Sequence, residues 1–160
     1  MTIEPCFVGC DVSLNTLDIC LLRGGDAQHF QVPNTAEGIA ELIRSVRDAR
    51  PALFVLEASG GYEARAFEAL QDAGISVSRL LPQRVRQFAR ARGQMAKTDR
   101  IDARILALFA RAMRPAPSPV MAKNQRYLKA LVTRRRSLVA RCRFQSVSRH
   151  TGLHLPNAKL

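Results

Sequence analysis

The run Ala52-Leu53-Phe54-Val55-Leu56-Glu57 decides the fold of this chain. Its apolar residues are uninterrupted and show no alternation. A stretch this short, bounded by Pro51 and an acid, is the pattern of a strand covered on both faces, as in a parallel sheet. Working upstream, the spacing of Ile39, Leu42, Ile43 and Val46 predicts a helix from Asn34 or Thr35 to about Arg47. Downstream, Gly60-Gly61 reads as a turn, Tyr62 to Ala73 as a helix closed by Gly74, and Ile75 to Leu81 as another strand. Nearer the N-terminus, Phe7 to Asp11 is a strand with Val8 and Cys10 on one face. Thr16 to Leu22 alternates Leu17, Ile19 and Leu21 and returns antiparallel after a turn at Ser13–Asn15; Gln28 to Val32 adds a third strand. Three meandering strands followed by helix, strand, helix and strand describe an α/β domain with a mixed sheet flanked by helices. That order fits the ribonuclease H-like architecture and, equally, the actin-like ATPases.

The remainder reads as helical and basic. Pro82 opens a short helix to about Arg90, a polar stretch spans 92–98, and a further helix runs from about Asp99 to Arg114. Residues 1–114 are therefore expected to form one domain and the proline-rich residues 115–122 a linker. Residues 123–160 are expected to form a basic helix and an irregular tail. Leu128, Leu131, Leu138 and Cys142 fall near a seven-residue rhythm, which predicts either the start of a coiled-coil arm or a helix packed on its own domain.

A chain of 160 residues with 47% hydrophobic residues can bury one core, and no apolar run is long enough to span a membrane. No basic segment followed by an apolar run opens the sequence, so a cytoplasmic protein with reduced thiols is expected. The formal net charge is +12, and it is unevenly spread. Residues 1–102 hold all 13 acids and 12 of the bases, whereas residues 103–160 hold the other 13 bases and no acid. Such asymmetry points to a polyanion, nucleic acid above all, and not to a membrane surface. Arg84, Arg86, Arg90, Arg92, Lys97, Arg100 and Arg104 cluster before and around an acidic pair, and Arg134, Arg135 and Arg136 lie in the last helix. They read as phosphate-tracking residues or as solvated helix faces.

Four acids occupy special places. Asp11 ends the first strand, Glu57 ends the apolar strand, and Asp99 and Asp102 stand one turn apart on one face of a helix. Leu106, Phe109 and Met113 continue that face and are expected to pack on the sheet. If the two strands are neighbours, the four carboxylates crowd together and repel unless protonated or bound to a cation. Hard divalent ions such as Mg²⁺ or Mn²⁺ take oxygen ligands, and a pair of them suits phosphodiester chemistry. Each acid also has a plainer reading: Asp11 as a turn residue, Glu57 as a surface acid, Asp99 and Asp102 as a cap and a first-turn acid.

At these residues the sequence resembles the DEDD insertion-sequence transposases, a family that includes a pilin-gene invertase and recombinases guided by a bridge RNA. The matching segments are Val8-Gly9-Cys10-Asp11-Val12-Ser13 with Leu17-Asp18, then Leu56-Glu57-Ala58-Ser59-Gly60-Gly61-Tyr62, then Ala96-Lys97-Thr98-Asp99-Arg100-Ile101-Asp102-Ala103. The resemblance implies a RuvC-like fold and a site of two Mg²⁺ or Mn²⁺ ions held by Asp11, Glu57, Asp99 and Asp102. It also implies DNA as substrate, a guide RNA, a dimer or tetramer, and a nucleoid-associated location. Members resembling this chain continue into a C-terminal domain carrying a strand-exchange serine. The chain is expected to stop before it and to be inactive alone. Three other functions compete: a nucleic-acid-binding module without chemistry, a Holliday-junction resolvase, and an actin-like phosphotransferase. The last leaves the basic half unexplained.

Overall fold

The structure, a computed structural model, describes residues 4–93, 99–122, 124–128, 131–136 and 138–139; the side chains of residues 99–101 lie outside that description. Residues 1–119 form one compact unit and residues 120–160 another.

The first unit is built on a five-stranded sheet in the order β3-β2-β1-β4-β5. Its strands are β1 (Cys6–Val12), β2 (Thr16–Arg23), β3 (Asp26–Pro33), β4 (Pro51–Glu57) and β5 (Val77–Leu80). The first three form the antiparallel meander read from the alternating residues, and β4 and β5 add in parallel to β1. The helices are α1 (Ala36–Ala49), α2 (Ala64–Asp72), α3 (Pro82–Ala91) and α4 (Asp99–Met113). Thr35 caps α1 by accepting a hydrogen bond from the Gly38 N–H.

The sheet separates two apolar layers. On one face Val8, Cys10, Leu17, Ile19, Phe54 and Leu56 pack against α1 and α2. On the other, Phe7, Leu53, Val55 and Leu80 meet Val85 of α3 and Ile105, Leu106 and Phe109 of α4, while Cys20 and Leu22 meet Ala103 and Ala107. β4 is covered on both sides, which is why its sequence does not alternate. Gly9 sits under α4: a Cβ there would run into the Ala103 carbonyl and the Ala107 amide, so only glycine allows the helix to lie this close.

Two expectations fail at element ends. Tyr62 does not begin a helix; α2 starts at Ala64, and Tyr62 is half exposed in the preceding loop. Met113 does not pack on the sheet and is 55% exposed, because α4 outruns the strands there. The guanidinium of Arg114 lies 5.9 Å from the Phe7 ring centroid instead. The proline segment after α4 runs beside the outer strand. The Ser118 N–H donates to the Val77 carbonyl at 2.7 Å, and its Oγ accepts from the Arg79 N–H at 3.0 Å. These bonds cover part of an edge that would otherwise offer unpaired groups.

In the second unit, residues 124–128, 131–136 and 138–139 are helical. Leu128, Leu131 and Leu138 of the seven-residue rhythm are exposed, and Cys142 lies outside the described residues. Among the described residues, no helix is long and apolar enough to cross a membrane.

Candidate active site

The paired register of the neighbouring parallel strands β1 and β4 runs to Cys10 opposite Leu56. Asp11 and Glu57 are the next residues of each strand. Side chains alternate along a strand. Cys10 and Leu56 face α1 and α2, so Asp11 and Glu57 share the opposite face with Gly9 and Val55, beneath α4. The sheet thus brings these two acids together at the carboxyl ends of its two central strands.

α4 carries its first turn to the same edge. Arg114, past its C-terminal end, reaches Phe7, and its Ala103–Ala107 turn rests on Gly9, so the helix runs antiparallel to β1. A strand advances about 3.3 Å per residue and a helix about 1.5 Å, so two residues of β1 match roughly four of α4. Counted back from the turn over Gly9, Asp11 comes level with roughly residues 100–101 of the helix. The same count forward places Phe7 level with Phe109, and those two rings do share a cluster. Asp102 precedes Leu106 by one turn on the buried face of α4 and is itself partly buried, as are Asp11 and Glu57. The side chain of Asp99 lies outside the described residues. Among the described residues, no three acid, histidine or cysteine side chains form a ready-made metal cage.

The loops at this edge are tightly built. Ser13 Oγ accepts from the Thr16 N–H at 2.9 Å and closes the β1–β2 turn just beyond Asp11. The Asn34 amide donates to the carbonyls of Ser13 at 2.9 Å and Tyr62 at 3.2 Å, tying the loops after β1 and β4 together. The Ala58 N–H donates to the Leu80 carbonyl and extends the sheet past Glu57. Glu63 is the element that sequence reasoning missed. It is only 4% exposed, and its Oε2 accepts from the N–H groups of Ser59 at 3.0 Å and Gly61 at 2.9 Å. Arg79 approaches its Oε1 at 3.5 Å while its guanidinium lies over Phe67. An acid just after Gly-Gly was the available signal. Leu14, Tyr62 and Leu81, all exposed, stand on the three loops that follow β1, β4 and β5.

The cysteines among the described residues are structural. Cys6, Cys10 and Cys20 are buried free thiols. Burial pushes the Cys10 thiol far above its ordinary range, and the charges of Asp11 and Asp18 add to that.

Arg84, Arg86, Arg90 and Arg92 are exposed on α3 and its C-terminal end, and Arg104 is exposed on α4. Arg84 lies 5.7 Å from the Phe109 centroid and Arg92 the same distance from that of Phe88, so aromatic rings hold both side chains. Lys97 and the side chain of Arg100 lie outside the described residues, and Arg134, Arg135 and Arg136 are exposed in the second unit.

A five-stranded mixed sheet of this order, with helices on both faces, is a ribonuclease H-like arrangement, and the solved structures on which it superposes are those of RuvC. RuvC of Thermus thermophilus in complex with a Holliday junction substrate superposes with a TM-score of 0.53 at 17% identity, over 71% of this chain and 99% of that one. Another structure of Thermus thermophilus RuvC superposes with a TM-score of 0.51 at 18% identity, over 69% and 97%. The family model for DEDD transposases matches residues 8–152, and the chain belongs to that family. The pilin gene-inverting proteins of Moraxella lacunata and Moraxella bovis are each 27% identical over 137 residues. These residues make up 81% of this chain and 41% of either relative, so the chain spans about two fifths of their length.

Proposed function

We propose that this chain is the RuvC-like catalytic domain of a DNA transposase or recombinase, performing divalent-metal-dependent phosphodiester chemistry at the edge occupied by Asp11 and Glu57. The observation that carries this reading is the alignment of those two acids on one sheet face, with the first turn of α4 brought to the same edge. An all-carboxylate donor set fits Mg²⁺ or Mn²⁺ and disfavours softer metals. Asp11, Glu57, Asp99 and Asp102 would hold one ion or two. Held by these residues, an ion would supply activation of the attacking oxygen and stabilisation of the leaving one. The chain's own residues supply the rest. β1 and β4 fix Asp11 and Glu57 side by side, and Glu63 keeps the loop after Glu57 closed. The arginines of α3 and Arg104, together with Lys97, Arg100 and Arg134–Arg136, attract the phosphate backbone. The exposed Tyr62 offers a ring for contact with the substrate.

Family membership supports DNA as the substrate, a guide RNA as a further partner, and a homo-oligomer working in the cytoplasm at the nucleoid. Completion of the site by a further domain is part of the same reading, since the related inverting proteins are longer than this chain.

The test is nicking of branched and duplex DNA with Mn²⁺ by the wild type and Asp11→Asn. Metal-dependent breakage lost in the variant supports the proposal. Salt-sensitive binding without breakage, unchanged in Asp11→Asn and accompanied by no metal uptake, would favour a nucleic-acid-binding module, which the basic second half alone would explain.

A further inference from the structure

A further acid lies beside Asp11. Asp18 of β2 stands directly opposite Asp11 in the antiparallel ladder. Its alternation matches Cys20 and Leu22, which pack against Ala103 and Ala107, so it shares the α4 face with Asp11 and Glu57. From the next strand Gln31, its register partner, donates its amide N–H groups to both carboxylate oxygens at 2.9 and 3.1 Å. Directly opposed residues in such a ladder have Cβ atoms about 4.5–5.5 Å apart, and like charges so placed are destabilising. Gln31 fixes and partly neutralises one member of the pair without removing its charge. The arrangement therefore holds two carboxylates of one strand pair in fixed proximity, at the end of the sheet where Glu57 and the first turn of α4 arrive. A charge held this way is costly to a bare fold and favourable to a bound cation.

We propose that Asp18, oriented by Gln31 and facing Asp11, is a positioning residue of the metal centre and strengthens that centre's hold on a divalent cation. The inference rests on the metal-dependent reading given above. It assigns Asp18 no role as a replacement for Asp11. Its charge acts on the cation through space.

The test is calorimetric titration of Mn²⁺ into the full chain, with metal-free thermal unfolding run in parallel. Asp18→Asn should bind Mn²⁺ roughly tenfold or more weakly, and the deficit should shrink as ionic strength rises. Asp18→Glu should recover most of the affinity. The metal-free Asp18→Asn protein should melt no lower than wild type, because a like-charge pair is relieved. Gln31→Met keeps both charges but releases Asp18, and should show a smaller loss in affinity. If Asp18→Asn and Gln31→Met bind Mn²⁺ as wild type does while Asp11→Asn does not, Asp18 is an ordinary cross-strand partner of Gln31 and the proposal fails. If folded wild type takes up no Mn²⁺, the metal-dependent reading itself fails and takes this proposal with it.

Discussion

Glu63 shows how much a single side chain does here. Its carboxylate braces the loop, collecting two amide N–H groups of a segment whose Gly60 and Gly61 both adopt positive φ. Removing it takes the charged acceptor from the N–H groups of Ser59 and Gly61 in a part-buried loop, which costs about 1–3 kcal/mol. Glu63→Ala should lower stability by about that amount in urea unfolding, and Glu63→Gln, which keeps an acceptor oxygen, by less. Cys10 makes a second residue-level case. Its thiol holds its proton far more tightly in the fold than in the unfolded chain, burial being the main cause. The native state therefore keeps its advantage below the ordinary thiol range and loses it as pH climbs from that range towards the higher native value. Alkylation of Cys10 should track global unfolding, and the protein should lose stability as solutions become strongly alkaline. Fast alkylation of Cys10 in the folded protein at neutral pH would contradict this. The positions of Asp11, one residue before the end of β1, and of Glu57, at the end of β4, were legible in the sequence because apolar patterns define both strands. Glu63 offered only the signal of an acid after two glycines, and the contact between Asp18 and Gln31 was not legible, because cross-strand hydrogen bonds follow no spacing rule.

Among elements, the packing of α4 on β1 matters most, because it brings the first turn of the helix to the acidic edge. Gly9 permits that packing. Gly9→Ala forces backbone apart and should destabilise the domain by roughly 1–3 kcal/mol or more. It should also weaken divalent-metal uptake, since α4 moves as a unit. A variant melting and binding metal as wild type does would show that the close approach is dispensable. The order of elements was readable from the sequence: the continuous β4 run, the alternating β2 residues and the Thr35 cap each point to one local structure. The element ends were less readable. Tyr62 follows two glycines and looked like a helix start, but Glu63 holds that loop closed until Ala64. Met113 kept the helical rhythm of Leu106 and Phe109, but the sheet ends before it, and sequence periodicity carries no record of where a neighbouring strand stops. The docking of Ser118 on β5 was hidden for a related reason, because a proline-rich segment reads as a spacer whether or not it lies along a strand.

For the whole molecule, the sequence shows a nearly neutral part and a basic part, and the fold exposes arginines on α3 within the nearly neutral part. Arg86 and Arg90 are the cleanest probes, because neither has an aromatic partner among the ring contacts that hold Arg84 and Arg92. The double variant Arg86→Ala, Arg90→Ala should bind duplex DNA more weakly at low salt. It should also show a log affinity against log salt slope that is shallower by up to about 2. An unchanged slope would place the DNA elsewhere. The central claim is more local: the edge at Asp11 and Glu57 is a divalent-metal centre. Its most direct test is calorimetric titration of Mn²⁺ into wild type and Asp11→Asn, both shown to be folded. Saturable binding by wild type, lost or greatly weakened in Asp11→Asn, is the result the account predicts. Equal binding by both proteins, or none by either, would contradict it.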